Sequence, residues 1–405
     1  MPRKPSSSAT ARRAKSAISV VRARPTDLER AVGQLLIFGF NGTELSPRTR
    51  TFIAGAQPSG VILFARNIES ARQTHALLRS AQSLVKEKMF LCVDLEGGMV
   101  DRLRDVVAPS PSVAEVVATR RPGLFLEHGR LIGRQAWALG FNVDFAPVLD
   151  LSSELSQPVL GTRTASQFPD ETILYAHNFL RGLRRAGVLG CGKHFPGLGE
   201  ASLDSHVQLP VVTKAWKQLW QEDLLPYRTL KRELPFVMVA HCAYPGLADG
   251  GTPRQALARR PPGAQTPASL SYGWITQVLR RKIGYQGLII SDDLDMGGVA
   301  AEIGDAAVGT IQAGADLFLV CQNEENAWRA YYTVLGEAER NRRFRAQVEA
   351  AAQRVLRFKA AAEALQRRPA PPPSDANVAK LRREMWEFSE KLRLAAPLDA
   401  ATGGQ

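Results

Sequence analysis

Cysteine is scarce. Four occur in 405 residues, Cys92, Cys191, Cys242 and Cys321, and no two form a CxxC pair. That spacing excludes a zinc ribbon and a thioredoxin-type redox motif. Each lies in or beside an apolar run, so all four read as buried reduced thiols, in keeping with a reducing compartment. Long apolar runs are missing too. No window of about 18 apolar residues exists, so no membrane span is expected. The N-terminal stretch lacks the central apolar run of about 7–15 residues that a secretory signal requires. There is no HExxH, no HxH and no GxGxxG, the usual marks of a zincin and of a dinucleotide fold.

Acidic residues are absent from positions 1–24, which carry Arg3, Lys4, Arg12, Arg13, Lys15, Arg22 and Arg24. Those seven cations account for more than half of the formal net charge of +13. The remainder is only mildly basic, so the charge excess marks a tail, not a nucleic-acid-binding body. Residues 1–27 are expected to form a disordered, solubilising extension.

What is present is a series of short apolar, β-rich runs, at 34–40, 60–64, 90–93, 143–146, 188–191, 236–239, 287–290 and 317–321. Several are continuous, not alternating, as in strands covered on both faces. Helical periodicity appears between most of them, at 70–86, 171–186, 276–283 and 306–313. Eight strands alternating with helices predict a single α/β domain, a (β/α)8 barrel over 28–366. The first-to-second and third-to-fourth connections are less clear, and a doubly wound open sheet is the alternative. Residues 367–375 read RRPAPPPSD, an extended linker. A helix follows with the stripe Val378, Leu381, Met385, Phe388 and Leu392, expected to dock on the barrel or on a partner chain rather than leave Trp386 and Phe388 exposed.

The barrel reading places chemistry at the C-terminal ends of strands. There the runs end in Asp94 and Glu96, in Asp150, in Lys193 and His194, in His241, and in Asp292 and Asp293. Three segments stand out. GKHFPGLGEASLDSH (192–206) joins a strand end to a loop in which Asp204 and His206 flank Ser205. An Asp beside a His can hold the imidazole in one tautomer, as a general acid/base needs. IISDDLDM (289–296) sets two acids after an apolar strand. Alternation sends one into the barrel mouth, as a nucleophile or a metal ligand, and leaves the other to pair or to cap. VDLEGGMVDR (93–102) couples acids to a double glycine, where backbone must approach something closely. Asp94 could accept from sugar hydroxyls and Arg102 could bind substrate oxygen.

These segments together resemble the family 3 glycoside hydrolases of the N-acetylglucosaminidase type. KHFPGLG with DSH is similar to their KHFPGHG…DSH, VDLEGG to VDQEGG, and ILFARN to ILFxRN. FAP (145–147), VMVAH (237–241), PASLS (267–271) and SDDLDM (291–296) occur in the expected order, and the similarity runs from about 33 to 321. The resemblance implies a retaining β-N-acetylhexosaminidase. Asp292 would be the nucleophile, and His206 the acid/base on a mobile loop with Asp204 as its partner. Asp94, Arg102, Arg163, Lys193 and His194 would line the sugar subsite. It implies no cofactor and no metal, a carbohydrate or muropeptide substrate, and a role in bacterial cytoplasmic cell-wall recycling. A monomer is favoured. Leu95, Met99, Leu198, Glu200 and the run TASQF after Arg163 depart from the family pattern. Three other readings stay open: a phosphorylase using the same site, a metal-dependent hydrolase with His194, His206, His241, Asp292 and Asp293 as ligands, and a degenerate barrel that binds wall fragments.

Overall fold

The computed structural model of the chain describes residues 25–200, 209–245, 266–296 and 301–395. The basic tail expected over 1–27 lies almost wholly outside them. The described chain opens on Thr26, which caps helix Asp27–Gly33 in a reciprocal capping box with Glu29.

All eight runs form strands. In chain order they are β1 (Leu36–Phe38), β2 (Gly60–Ile62) and β3 (Phe90–Val93), then a two-stranded hairpin, β4 (Leu95–Gly97) and β5 (Val100–Asp101). The barrel resumes with β6 (Val143–Asp144), β7 (Leu189–Phe195), β8 (Phe236–Val239), β9 (Leu288–Asp293) and β10 (Leu317–Val320). The eight barrel strands pair in parallel, each with its successor, and β10 returns to β1. The doubly wound alternative is thereby set aside.

Successive strand side chains point to opposite faces. Ile37, Ile62, Cys92, Cys191, Met238 and Ile290 belong to the barrel interior, while Leu36, Phe38, Val61, Leu91 and Ile289 meet the surrounding helices. Burial on both faces is the physical reason for the continuous apolar runs. The four thiols are buried and free, and burial pushes that of Cys242 up to about 12.

The two unclear connections are now resolved. Helix Pro47–Ala56, capped by Ser46, joins β1 to β2. Helices Val113–Ala118 and Pro122–Ala138 follow the hairpin and lead to β6. Helix Arg342–Ala361 brings Val355 and Phe358 against the N-terminal end of the barrel, where Phe358 meets Phe90 and Phe236. Lys359 is buried there. Its Nζ donates to Gln34 Oε1 at 2.8 Å and to the Ser59 carbonyl at 2.9 Å.

The proline-rich stretch runs extended over the surface, with the Ala370 carbonyl 2.9 Å from His75 Nε2. Helix Asp375–Ala395 then packs on Pro122–Ala138 and buries Leu381, Met385, Phe388 and Leu392. The predicted stripe therefore covers the chain's own barrel. Trp386 stays on the outer face, 62% exposed.

Candidate active site

The C-terminal ends of the strands gather the polar residues. Irregular register marks two of them: β7 shifts against β8 between Gly192 and Phe195, and β10 shifts against β9 opposite Asp293. Such shifts re-aim side chains at a barrel rim, here those of Lys193, His194, Asp292 and Asp293.

Lys193 is the centre of a buried ion cluster. Its Nζ lies 2.9 Å from Asp94 Oδ1 and 2.6 Å from Glu96 Oε1. Arg163 reaches the same Glu96 through two bonds, Nε to Oε2 at 2.7 Å and Nη2 to Oε1 at 2.9 Å. Burial alone would raise the Glu96 carboxyl, but Arg163 and Lys193 outweigh it and hold it well below the usual carboxylate range. Burial would likewise lower Lys193, and Asp94 and Glu96 raise it instead. Glu96, Lys193 and Arg163 are thus charged. Both oxygens of Glu96 are occupied and the residue is 1% exposed, so its task is to fix the two cations, while Asp94 and Arg163 keep some access.

The two acids of SDD are differentiated. Asp293 is buried, and its Oδ1 accepts from the Cys321 N–H at 2.9 Å and the Asp295 N–H at 3.1 Å. It caps the next segment, and burial pushes its carboxyl up to about 7. Asp292 is partly accessible. Burial would raise it too, but His194, His241, the Asp293 N–H and Lys193 together bring it below its ordinary value, so it is ionised. His241 is fixed between the Ser269 hydroxyl (Nδ1, 2.7 Å) and the Asp293 carbonyl (Nε2, 2.9 Å). Nε2–H donates to the carbonyl, which makes Nδ1 the acceptor from the Ser269 hydroxyl.

Asp150 links the strand ends to the following loop. Its Oδ2 is 2.7 Å from His194 Nδ1, and its Oδ1 accepts from the Leu198 N–H at 2.8 Å. The Tyr244 hydroxyl donates to the Gly197 carbonyl at 2.5 Å, and Ser153 donates to the Gly199 carbonyl. Downstream, Ala243 exchanges backbone bonds with Pro210 and Val212, both 2.9 Å. The chain thus enters the stretch bearing Asp204 and His206 from one fixed post and leaves it at another. Asp204 and His206 themselves lie outside the described residues.

Three of the departures from the family pattern can be placed in the structure. Leu198 is 5% exposed and joins the apolar cluster of Phe195 and Tyr227. Met99 stands at the hairpin tip, 67% exposed, and Leu95 is buried. Of the predicted site residues, Asp94, Arg163 and Lys193 form one cluster, and His194 stands with Asp292. Arg102 lies 5.7 Å from the Phe64 ring, with a buried Nε that has no hydrogen-bond partner among the described residues. Glu96 and Asp150 were legible as strand-end acids but had no assigned task. No group of three or more His, Cys, Asp or Glu side chains among the described residues could hold a metal ion. Both nitrogens of His241 are otherwise engaged.

A family model described as the glycosyl hydrolase family 3 N terminal domain matches residues 27–358. The chain belongs to glycosyl hydrolase family 3. Among its relatives, the β-hexosaminidase of Alkalilimnicola ehrlichii is 37% identical over 300 residues, covering 72% of this chain and 81% of the relative. That of Pseudomonas aeruginosa PAO1 is 34% identical over 296 residues, covering 72% and 83%. A solved family 3 β-N-acetylglucosaminidase from Paenibacillus sp. str. FPU-7 superposes with a TM-score of 0.82 at 30% identity, over 90% of this chain and 69% of that one. This family 3 member is a glycoside hydrolase of the β-hexosaminidase type. The family match ends before helix Asp375–Ala395. No described helix is long and apolar enough to cross a membrane.

Proposed function

We propose that the enzyme releases terminal β-linked N-acetylglucosamine from muropeptides of the GlcNAc-1,6-anhydroMurNAc type, in the bacterial cytoplasm, by a retaining double displacement. The observation that carries this reading is the division between adjacent acids, with Asp292 ionised at the barrel mouth and Asp293 tied to backbone. The relatives named β-hexosaminidase and the β-N-acetylglucosaminidase structure support the choice of sugar.

In the first step an Asp292 oxygen bonds to the anomeric carbon as the glycosidic C–O bond breaks, and His206 gives its proton to the departing oxygen. In the second, His206 takes a proton from water, whose oxygen displaces Asp292 with a second inversion. Asp204 orients the imidazole. Asp94, Arg102, Arg163, Lys193 and His194 hold the sugar, with the two cations of the cluster already positioned by Glu96, so that little reorganisation accompanies binding.

The test is to trap the intermediate with a 5-fluoro N-acetylglucosaminide and locate the adduct by peptide mass. A label on Asp292, absent in Asp292→Ala, is expected. A label on Asp293 or another residue, or turnover by Asp292→Ala, would overturn the mechanism. Repeating turnover in phosphate buffer and assaying for sugar 1-phosphate separates hydrolysis from phosphorolysis.

A further inference from the structure

The hairpin that follows β3 carries Asp94, Glu96 and Arg102, and its turn is tightly backed. Gly97 and Gly98 have positive φ, +87° and +59°. A Cβ on Gly97 would stand 2.1 Å from the Pro111 carbonyl oxygen and 3.2 Å from His128 Nε2. The turn therefore rests on the Pro111 carbonyl, with the His128 imidazole packed beside it. That ring is wholly buried. Its Nδ1 is 3.0 Å from the Tyr175 hydroxyl, while Nε2 faces Pro111 and closes no hydrogen bond of normal geometry. Burial, offset only in part by the Pro111 carbonyl, drops it to about 3, so it is neutral and acts as a flat wedge.

The far side of the wedge is covered by the C-terminal helix. Phe388 is fully buried and stacks on His128, with ring centroids 5.8 Å apart and planes 14° from parallel. Six residues earlier on the helix, Arg382 Nε donates to the Val107 carbonyl at 2.8 Å, at the other end of the same excursion. Two ion pairs, Arg134–Glu384 and Lys391–Glu127, bind the helix to Pro122–Ala138, which bears His128.

We propose that helix Asp375–Ala395, which lies beyond the family match, is a positioning element of the sugar subsite. Phe388 presses His128 under the Glu96–Gly97–Gly98 turn while Arg382 holds Val107, and together they set where Asp94, Glu96 and Arg102 project. The inference rests on the assignment of those residues to the sugar subsite.

The test uses the full chain and an aryl β-N-acetylglucosaminide with an acidic leaving group. Phe388→Ala should raise KM about tenfold and leave kcat, per site titrated with the fluoro sugar, within about twofold, because ground-state placement is lost and the nucleophile is untouched. Arg382→Ala removes an exposed side chain without a cavity and should raise KM by about threefold by the same reasoning. Leu392→Ala empties a buried position on the same helix outside the ring stack. It should lower the unfolding temperature and leave KM alone. Phe388→Leu serves where the alanine variant fails to fold. Unchanged KM in the Phe388 and Arg382 variants, or an equal rise in Leu392→Ala, would overturn the proposal. Lys193→Met calibrates the assay. If it raises KM and the helix variants do not, the helix has no positioning role. If it leaves KM unchanged, the subsite assignment itself is wrong.

Discussion

Lys359 gives a prediction that needs no substrate. Its ammonium is buried at the N-terminal end of the barrel, with no carboxylate in contact among the described residues. Burial drops it from the usual 10.5 to about 7, against weaker upward pushes from Glu87 and Cys92. A folded-state value below the unfolded one means stability fully present above 10.5 and lost as pH falls toward 7. Between those values the unfolded chain binds the proton and the folded chain does not, so stability climbs with pH by about 1.4 kcal/mol per unit. From pH 7 to 9 the change is about 2 kcal/mol, since the folded lysine is half protonated at the lower limit. Lys359→Met removes this dependence. It also leaves Gln34 Oε1 without its donor, at about 1–3 kcal/mol, whereas the Ser59 carbonyl keeps the Phe90 N–H at 2.9 Å. The variant should be more stable than the parent at pH 7 by about 1–3 kcal/mol, the buried charge costing more than the lost bond. That advantage should shrink by about 2 kcal/mol at pH 9. Urea unfolding followed by circular dichroism, in reductant, at pH 7, 8 and 9 measures the gap. Pairwise comparison cancels every group the two proteins share, and any pH-independent effect of the substitution drops out of the slope. A gap that stays constant with pH would refute the reasoning.

Other outcomes follow from the site. Glu96→Gln keeps the shape of the side chain but removes the negative charge that Lys193 and Arg163 share. Stability should fall by about 3–5 kcal/mol, as when one partner of a buried pair is removed. KM should rise while kcat changes little, readable in one steady-state series. His206→Ala should slow natural disaccharides by about 100-fold or more, and aryl glycosides with acidic leaving groups far less, because a good leaving group needs no proton. Equal loss on both substrates would count against His206 as the acid.

The barrel was legible because its strands are short, apolar and buried on both faces, as at 236–239 and 317–320. The hairpin of β4 and β5 was not. Its strands are two and three residues long, too short for any period, and the double glycine between them announced only a close backbone approach. Helix Pro122–Ala138 was also missed; its N-cap, Arg121, makes no side-chain capping bond, and its buried face includes His128, Gly129, Gly133 and Gln135 beside the aliphatics, which dilutes the apolar stripe. Glu96 and Asp150 show the same limit at the site. Their partners Arg163 and His194 lie 67 and 44 residues away along the chain. No local spacing encodes such a pair, and only barrel closure brings its members together.

On the proposed mechanism, the two posts that flank the stretch bearing Asp204 and His206 bear on how the proton donor would be supplied. Fixed ends at Leu198 and at Val212 would limit how far the imidazole can lie from bound sugar. The effective concentration of imidazole at the sugar would then depend on the number of residues between those ends. The bonds that make the posts come from Asp150, Ser153, Tyr244 and Ala243, and Asp150 also holds His194, so a change of chain length between the posts would leave the ion pairs of Lys193 and Arg163 with Glu96 in place while one post stays joined to the sugar subsite.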